Sequence, residues 1–242
     1  APVIVSGGGT LYSGAEDTLA RFAEAHNIPF VETQAGKGGL SFEDARNFGS
    51  PGVTGSQSAN ELCARADLII GVGTRFQDFT TGSWTVFANP ARRLVSINLA
   101  GYDALKHGAT GVLGDARVSL ERLSAALGPH RAPAFDARSR SDWHATVASV
   151  TAAPGEGNAL PTDAQVIGAV QRTATETTLA MCAAGTMPGA LQVLWQAAKG
   201  GYHMEYGYSC MGYEIAGAMG IKLAQPEKDV ICFVGDGSYM MA

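Results

Sequence analysis

At 242 residues, 46% of them hydrophobic and only 16% charged, the chain can bury one large core or two modest ones, which excludes disorder as its default state. A net charge of −5 and a pI near 5.5, with no dense Lys/Arg run, argue against a nucleic-acid or anionic-membrane binder. No apolar stretch approaches the roughly 20 residues that span a bilayer, and the N-terminus lacks the order of a signal peptide, so a cytoplasmic protein with no membrane partner is expected.

The chain opens on an apolar strand, Pro2 to Ser6, that runs into Gly7-Gly8-Gly9, and Ala15 to His26 then carries apolar residues at helical spacing. The alternation continues with a strand at Pro29–Glu32, a helix from Ser58 to Ala66, strands at Asp67–Val72 and Arg93–Asn98, and a helix from Arg117 to Leu127. Alternating elements of this kind predict a parallel sheet, closing a first domain over residues 1–127. Residues 128–161 shift to Pro, Ala, Gly and Arg and read as a linker with one helix, Ser139 to Val150.

Residues 162–242 predict a second parallel unit, cut short at its end. A helix follows the N-cap Thr162, then a strand from Thr178 to Ala184, a turn at Gly185-Thr186-Met187-Pro188, helices from Gly189 to Ala198 and from Gly212 to Leu223, and a strand at Val230–Val234. The fold class is therefore α/β, with two parallel-sheet αβα units.

Chemistry concentrates at the far end, where the last strand delivers Gly235-Asp236-Gly237-Ser238. The glycines let the backbone turn and approach a ligand closely, Asp236 suits a hard cation, and Ser238 can donate to a phosphate oxygen. A turn in which Asp236 and Ser238 only cap a following helix explains the same residues.

The stretch upstream, Tyr206-Gly207-Tyr208-Ser209-Cys210-Met211-Gly212-Tyr213-Glu214 and the small-residue helix after it, resembles the approach to a thiamine diphosphate signature. With the runs Glu32–Gly38 and Gly71–Trp84, it is similar to the subfamily of trihydroxycyclohexane-1,2-dione hydrolases of inositol catabolism. The resemblance spans Val3 to Met241 and is weakest between Gly128 and Gly157. It implies a dinucleotide-fold-like middle domain followed by a truncated diphosphate-binding domain. It also implies thiamine diphosphate with Mg²⁺ as cofactors, and hydrolytic carbon–carbon ring cleavage of a small cyclic dione.

Carried over residue by residue, the resemblance makes Asp236 the Mg²⁺ ligand, with Gly235, Gly237 and Ser238 at the diphosphate. Gly185 and Thr186 form the first diphosphate loop. Met211 sits under the thiazolium ring, and Ser209 and Cys210 line the cofactor turn; many relatives have Gly where Ser209 stands. The family's second metal ligand, an Asn, would lie beyond Ala242, and its cofactor-activating Glu belongs to a pyrimidine domain upstream of Ala1. No catalytic residue is therefore expected in this chain, which reads as an internal piece, inactive alone, of a homodimer or larger homo-oligomer.

The other constellations are weaker. Neither Gly7-Gly8-Gly9 nor Gly71-Val72-Gly73 meets the spacing of a dinucleotide fingerprint. Cys63, Cys182, Cys210 and Cys232 match no metal or disulfide pattern and are expected as free thiols, buried for the most part. His26, His107, His130 and His144 are expected at the surface without partners, whereas His203, close to Glu205 and Tyr206, is a candidate for facing substrate. Gly217 and Gly220 suggest a backbone passing close to their helix. A thiamine-dependent decarboxylase, an acetolactate-synthase-like carboligase and a non-catalytic α/β binding or scaffold protein remain as alternatives.

Overall fold

The structure is a computed structural model that describes residues 1–155, 160–183, 185–205 and 207–242. In its first unit β1 (Pro2–Ser6), β2 (Phe30–Glu32), β3 (Leu68–Val72), β4 (Arg93–Asn98) and β5 (Thr110–Leu113) form an all-parallel sheet in the order β2-β1-β3-β4-β5. The helices are α1 (Gly8–Tyr12), α2 (Glu16–His26), α3 (Gln57–Arg65), α4 (Asp78–Thr81), α5 (Gly101–Leu105) and α6 (Ala116–Leu127). Successive strand residues feed opposite faces: Val3, Val5, Val31 and Ile69 pack with Phe48 and Phe87, while Ile4, Phe30, Ile70 and Val72 pack with Leu19, Phe22 and Leu120. Burial on both faces is why these strands are almost continuously apolar.

Local chemistry sets the ends of the helices. The side chains of Ser56 and Asp115 accept the Ala59 and Val118 N–H groups at the starts of α3 and α6, and Asn27 ends α2 in the left-handed region at φ 53°.

The linker helix is α7 (Arg138–Val150), and it is packed rather than free. Trp143 and Val147 bury against Phe42, the Trp143 indole donates to the Val193 carbonyl at 3.1 Å, and Arg140 donates to the Asn47 carbonyl at 3.0 Å. The helix therefore touches both units. Residues 156–159, in the same linker and including Gly157, lie outside the described residues.

The second unit holds α8 (Asp163–Gln171), β6 (Thr178–Cys182), α9 (Met187–Leu194), β7 (Tyr202–Met204), α10 (Tyr213–Ala224), β8 (Asp229–Cys232) and α11 (Asp236–Tyr239). Its strands are parallel in the order β7-β6-β8. Thr162 and Gln165 form a reciprocal capping box at the start of α8.

Three expectations change here. The helix expected over Gly189–Ala198 starts earlier, because Pro188 suits a first turn. It stops at Leu194, because Trp195 turns extended to bury its ring and donate its indole N–H to the Gly201 carbonyl at 3.0 Å. β6 ends at Cys182, and the predicted strand end, Ala184, lies outside the described residues.

The two units are joined directly. Gly200 N–H donates to the Gly38 carbonyl at 2.7 Å, Phe42 N–H to Ala197 at 3.0 Å, and Gln34 Nε2 to Pro188 at 2.9 Å. Among the described residues no helix is long and apolar enough to cross a membrane.

Candidate functional site

The segments that carry Gly185 and Thr186, Ser209 to Met211, and Gly235 to Ser238 follow β6, β7 and β8, three adjacent parallel strands, so these residues lie beyond the carboxyl ends of the second sheet. Two of these loops touch. A Cβ at Gly237 would lie 3.3 Å from Met211 Cε, and Gly212 N–H donates to Ser238 Oγ at 2.9 Å. Gly185, at φ 86°, and Thr186 stand exposed after the central strand.

Two glutamates shape the site. Glu205 accepts the Tyr208 N–H at 3.0 Å and the Cys210 N–H at 2.8 Å, and so folds the turn that carries Ser209, held in the left-handed region at φ 50°. Burial pushes the Glu205 pKa up, but the N–H groups of Cys210, Tyr208, Gly207 and Ser209 outweigh it and leave the carboxyl below its usual range. Glu214 is fully buried and accepts from Gly212 N–H at 3.0 Å and from Ser238 Oγ at 2.8 Å. One carboxylate therefore pins the cofactor turn to the Gly-Asp-Gly loop.

The Ser238 hydroxyl is buried and donates to Glu214, so in this structure it ties two loops together. Glu214 is the residue that the sequence reading passed over; its signal was an acidic side chain in the first turn of an otherwise small and apolar helix.

Asp236 is exposed, and one carboxylate oxygen accepts the Gly237 N–H at 2.8 Å, leaving the other open to solvent or a cation. A Cβ at Gly185 or Gly235 would meet nothing within 4 Å, so both backbones are open to a ligand. Met211 is 47% exposed beside Gly237, and Cys210 is exposed. Among the described residues no three His, Cys, Asp or Glu side chains cluster as a complete metal site. One carboxylate with room for phosphate oxygens is the pattern that suits Mg²⁺. The residues present thus fit a metal-bridged diphosphate.

A cavity of about 580 Å³ opens beside this edge, between the carboxyl ends of β1 and β3 and the segment after β7. Gln34 and Tyr202 fix its wall, the Tyr202 hydroxyl donating to Gln34 Oε1 at 2.7 Å. His203 lines it and pairs with the Tyr213 hydroxyl at 3.3 Å; burial holds the imidazole below its usual pKa, with Glu205 opposing. Tyr206, the third member of the predicted group, lies outside the described residues.

Other expectations are revised. His26 is only 1% exposed, bonded through Nδ1 to the His130 carbonyl at 2.7 Å and through Nε2 to Ser124 Oγ at 3.0 Å, because α2 and α6 close over it. His144 is half-buried against the Phe42 ring. Gly217 makes room for the Met181 and Tyr213 side chains instead of a backbone, and Gly220 faces open space. All four cysteines are free, as expected; Cys63 and Cys182 are buried, and burial pushes the Cys182 thiol up to about 12.

Comparison with known proteins matches residues 1–123 to "Thiamine pyrophosphate enzyme, central domain" and residues 183–242 to "Thiamine pyrophosphate enzyme, C-terminal TPP binding domain". Among curated proteins, the chain is 40% identical over 264 residues to a 3D-(3,5/4)-trihydroxycyclohexane-1,2-dione hydrolase from Geobacillus thermodenitrificans, covering 99% of this chain and 41% of that protein. The proteins of the same name from Clostridium perfringens and Bacillus subtilis are each 38% identical, over 99% of this chain and 42% of theirs. The chain thus spans about two fifths of the length of these relatives.

Proposed function

The chain belongs to the thiamine pyrophosphate enzymes, and on that premise we propose that it carries the cofactor-holding part of a hydrolase that opens a trihydroxylated cyclohexane-1,2-dione, a step of inositol catabolism, by carbon–carbon cleavage. The observation that supports this most is the identity of 38 to 40% with hydrolases of that name across 99% of the chain. When bound, thiamine diphosphate supplies the electron sink for the cleavage. The work of this chain's own residues is binding and orientation.

In this reading Asp236 ligates a Mg²⁺ ion, and Gly235, Gly237, Gly185 and Thr186 give the diphosphate access to open backbone. Met211 supplies the apolar shelf under the ring, and Ser209 and Cys210 line the turn that Glu205 folds. Glu214 and Ser238 act one step back, keeping the turn and the metal loop in register. The division into a middle domain (1–127), a linker (128–161) and the first part of the diphosphate-binding domain (162–242) belongs to the same proposal, as do a cytoplasmic location and a homo-oligomeric protein.

The test is product analysis on the protein expressed from its whole coding region. With thiamine diphosphate and Mg²⁺, the cyclic dione is expected to yield one open-chain acid with no gas released. Carbon dioxide or a coupled ketol would replace the hydrolase by a decarboxylase or carboligase.

A further inference from the structure

The cavity between the two units contains a charge imbalance that the cofactor does not use. Lys37 lines it and is only 4% exposed, yet among the described residues no atom accepts a hydrogen bond from its ammonium and no carboxylate pairs with it. Its Nζ lies over the face of the Tyr202 ring, 5.7 Å from the centroid. Glu32, the acid that acts on it electrostatically, is turned to other partners, accepting the Leu40 N–H at 2.9 Å and Asn47 Nδ2 at 3.2 Å.

The other ionisable groups on the wall sharpen the imbalance. Asp103 is paired with Lys106 at 2.8 Å, and Glu205 is committed to the backbone of its own turn. His203 shares a hydrogen bond with Tyr213. Arg75, the second cation on the wall, has neither an ion pair nor a side-chain hydrogen bond among the described residues. Among the described residues the acids have direct partners and the two cations, Lys37 buried and Arg75 exposed, have none.

We propose that this cavity is a second ligand site, which takes a small hydroxylated anion whose carboxylate or phosphate group is held between Lys37 and Arg75. A buried lysine whose ammonium no carboxylate contacts directly is costly, and an anion that brings its own negative charge into contact reduces the penalty. Thr33, Thr74 and Gln77 line the same space and offer neutral polar groups to hydroxyls. A volume of about 580 Å³ suits a ligand of sugar-acid size.

The local geometry does not favour a dinucleotide. The glycines after β1 and β3 are spent on packing the two loops together: a Cβ on Gly7 would lie 2.4 Å from the Gly73 carbonyl oxygen, and one on Gly9 would lie 2.6 Å from Gly73 Cα. Glu32, at the end of β2 where a dinucleotide fold offers its acid to a ribose, is buried and bonded inward.

The test is calorimetric titration of the protein with glucuronate, inorganic phosphate, ADP and the neutral polyol myo-inositol, for wild type, Lys37→Met and Arg75→Gln. Saturable binding of glucuronate or phosphate is expected, with no heat from myo-inositol, and the better of the two probes identifies the head group. Affinity should fall on the order of tenfold or more in Lys37→Met and several-fold in Arg75→Gln, since each removes one charge from the site. Arg75 is exposed, so its variant keeps the comparison valid if Lys37→Met fails to fold. Absence of binding by both anions, unchanged affinity in Arg75→Gln, or binding of ADP alone would overturn the proposal.

Discussion

The Glu214 carboxylate accepts from the Gly212 N–H and the Ser238 hydroxyl within one buried pocket, so its removal strands the hydroxyl and leaves the Gly212 N–H with Ser238 Oγ alone. Glu214→Ala is expected to cost about 1–3 kcal/mol in urea unfolding and to weaken thiamine diphosphate binding through loss of loop register. Because Ser238 shares the same network, the costs of Glu214→Ala and Ser238→Ala should not add, and a double-mutant cycle checks this. Glu32 and Lys37 leave a mark on the pH dependence of stability. Burial holds Glu32 at about 7 against an ordinary 4.5, so it binds its proton more tightly folded than unfolded, and stability falls as pH rises from about 4.5 to 7. Burial pulls Lys37 down to about 8 from 10.5, so it binds its proton less tightly folded, and stability recovers between about 8 and 10.5. Melting temperature against pH should show a trough between about 7 and 8, and Glu32→Gln should flatten its acid-side slope.

At the scale of elements, α7 shows how a segment of linker composition becomes structural. Trp143 is buried between Phe42 of the first unit and the chain near Val193 of the second, and its indole N–H is satisfied there. Trp143→Ala should therefore cost about 3–5 kcal/mol in urea unfolding, far more than a surface residue on a free linker helix. The helix itself was legible from Ser139 to Val150, a stretch free of Pro and Gly within the linker; its docking was not, because nothing local marks which neighbour Trp143 meets. β1, β3 and β4 were legible as apolar runs buried on two faces. β7 escaped because three residues, one of them His203, carry no pattern of their own and are held by β6. α11 was foreseen only as the alternative in which Asp236 and Ser238 serve as turn or cap residues for a following helix; the helix is present, but Gly235 holds its N-cap position and no side chain caps it.

For the molecule as a whole, the parallel architecture makes the site. Two sheets present loops from the carboxyl ends of their strands, and direct bonds such as Gly200 to Gly38 and Gln34 to Pro188 join the units beside those loops. The loops after β7 and β8 could be picked out from the sequence because Gly-Asp-Gly-Ser and the Ser209–Gly212 turn are contiguous motifs. The cavity around Lys37 could not, because burial of a lysine by Tyr202, 165 positions along the chain, is a property of the assembled units alone. The central claim is that the loops after β6, β7 and β8 hold a metal-bound thiamine diphosphate through Asp236. Its most direct test is calorimetric titration of thiamine diphosphate, with and without Mg²⁺, into the whole protein and its Asp236→Asn variant. Asp236 is exposed, so the variant should stay within about 0.5 kcal/mol of wild-type stability, and any loss of binding reports on the site itself. Saturable, Mg²⁺-dependent binding that disappears in Asp236→Asn is the predicted result; binding that is unchanged in the variant, or indifferent to Mg²⁺, would contradict it.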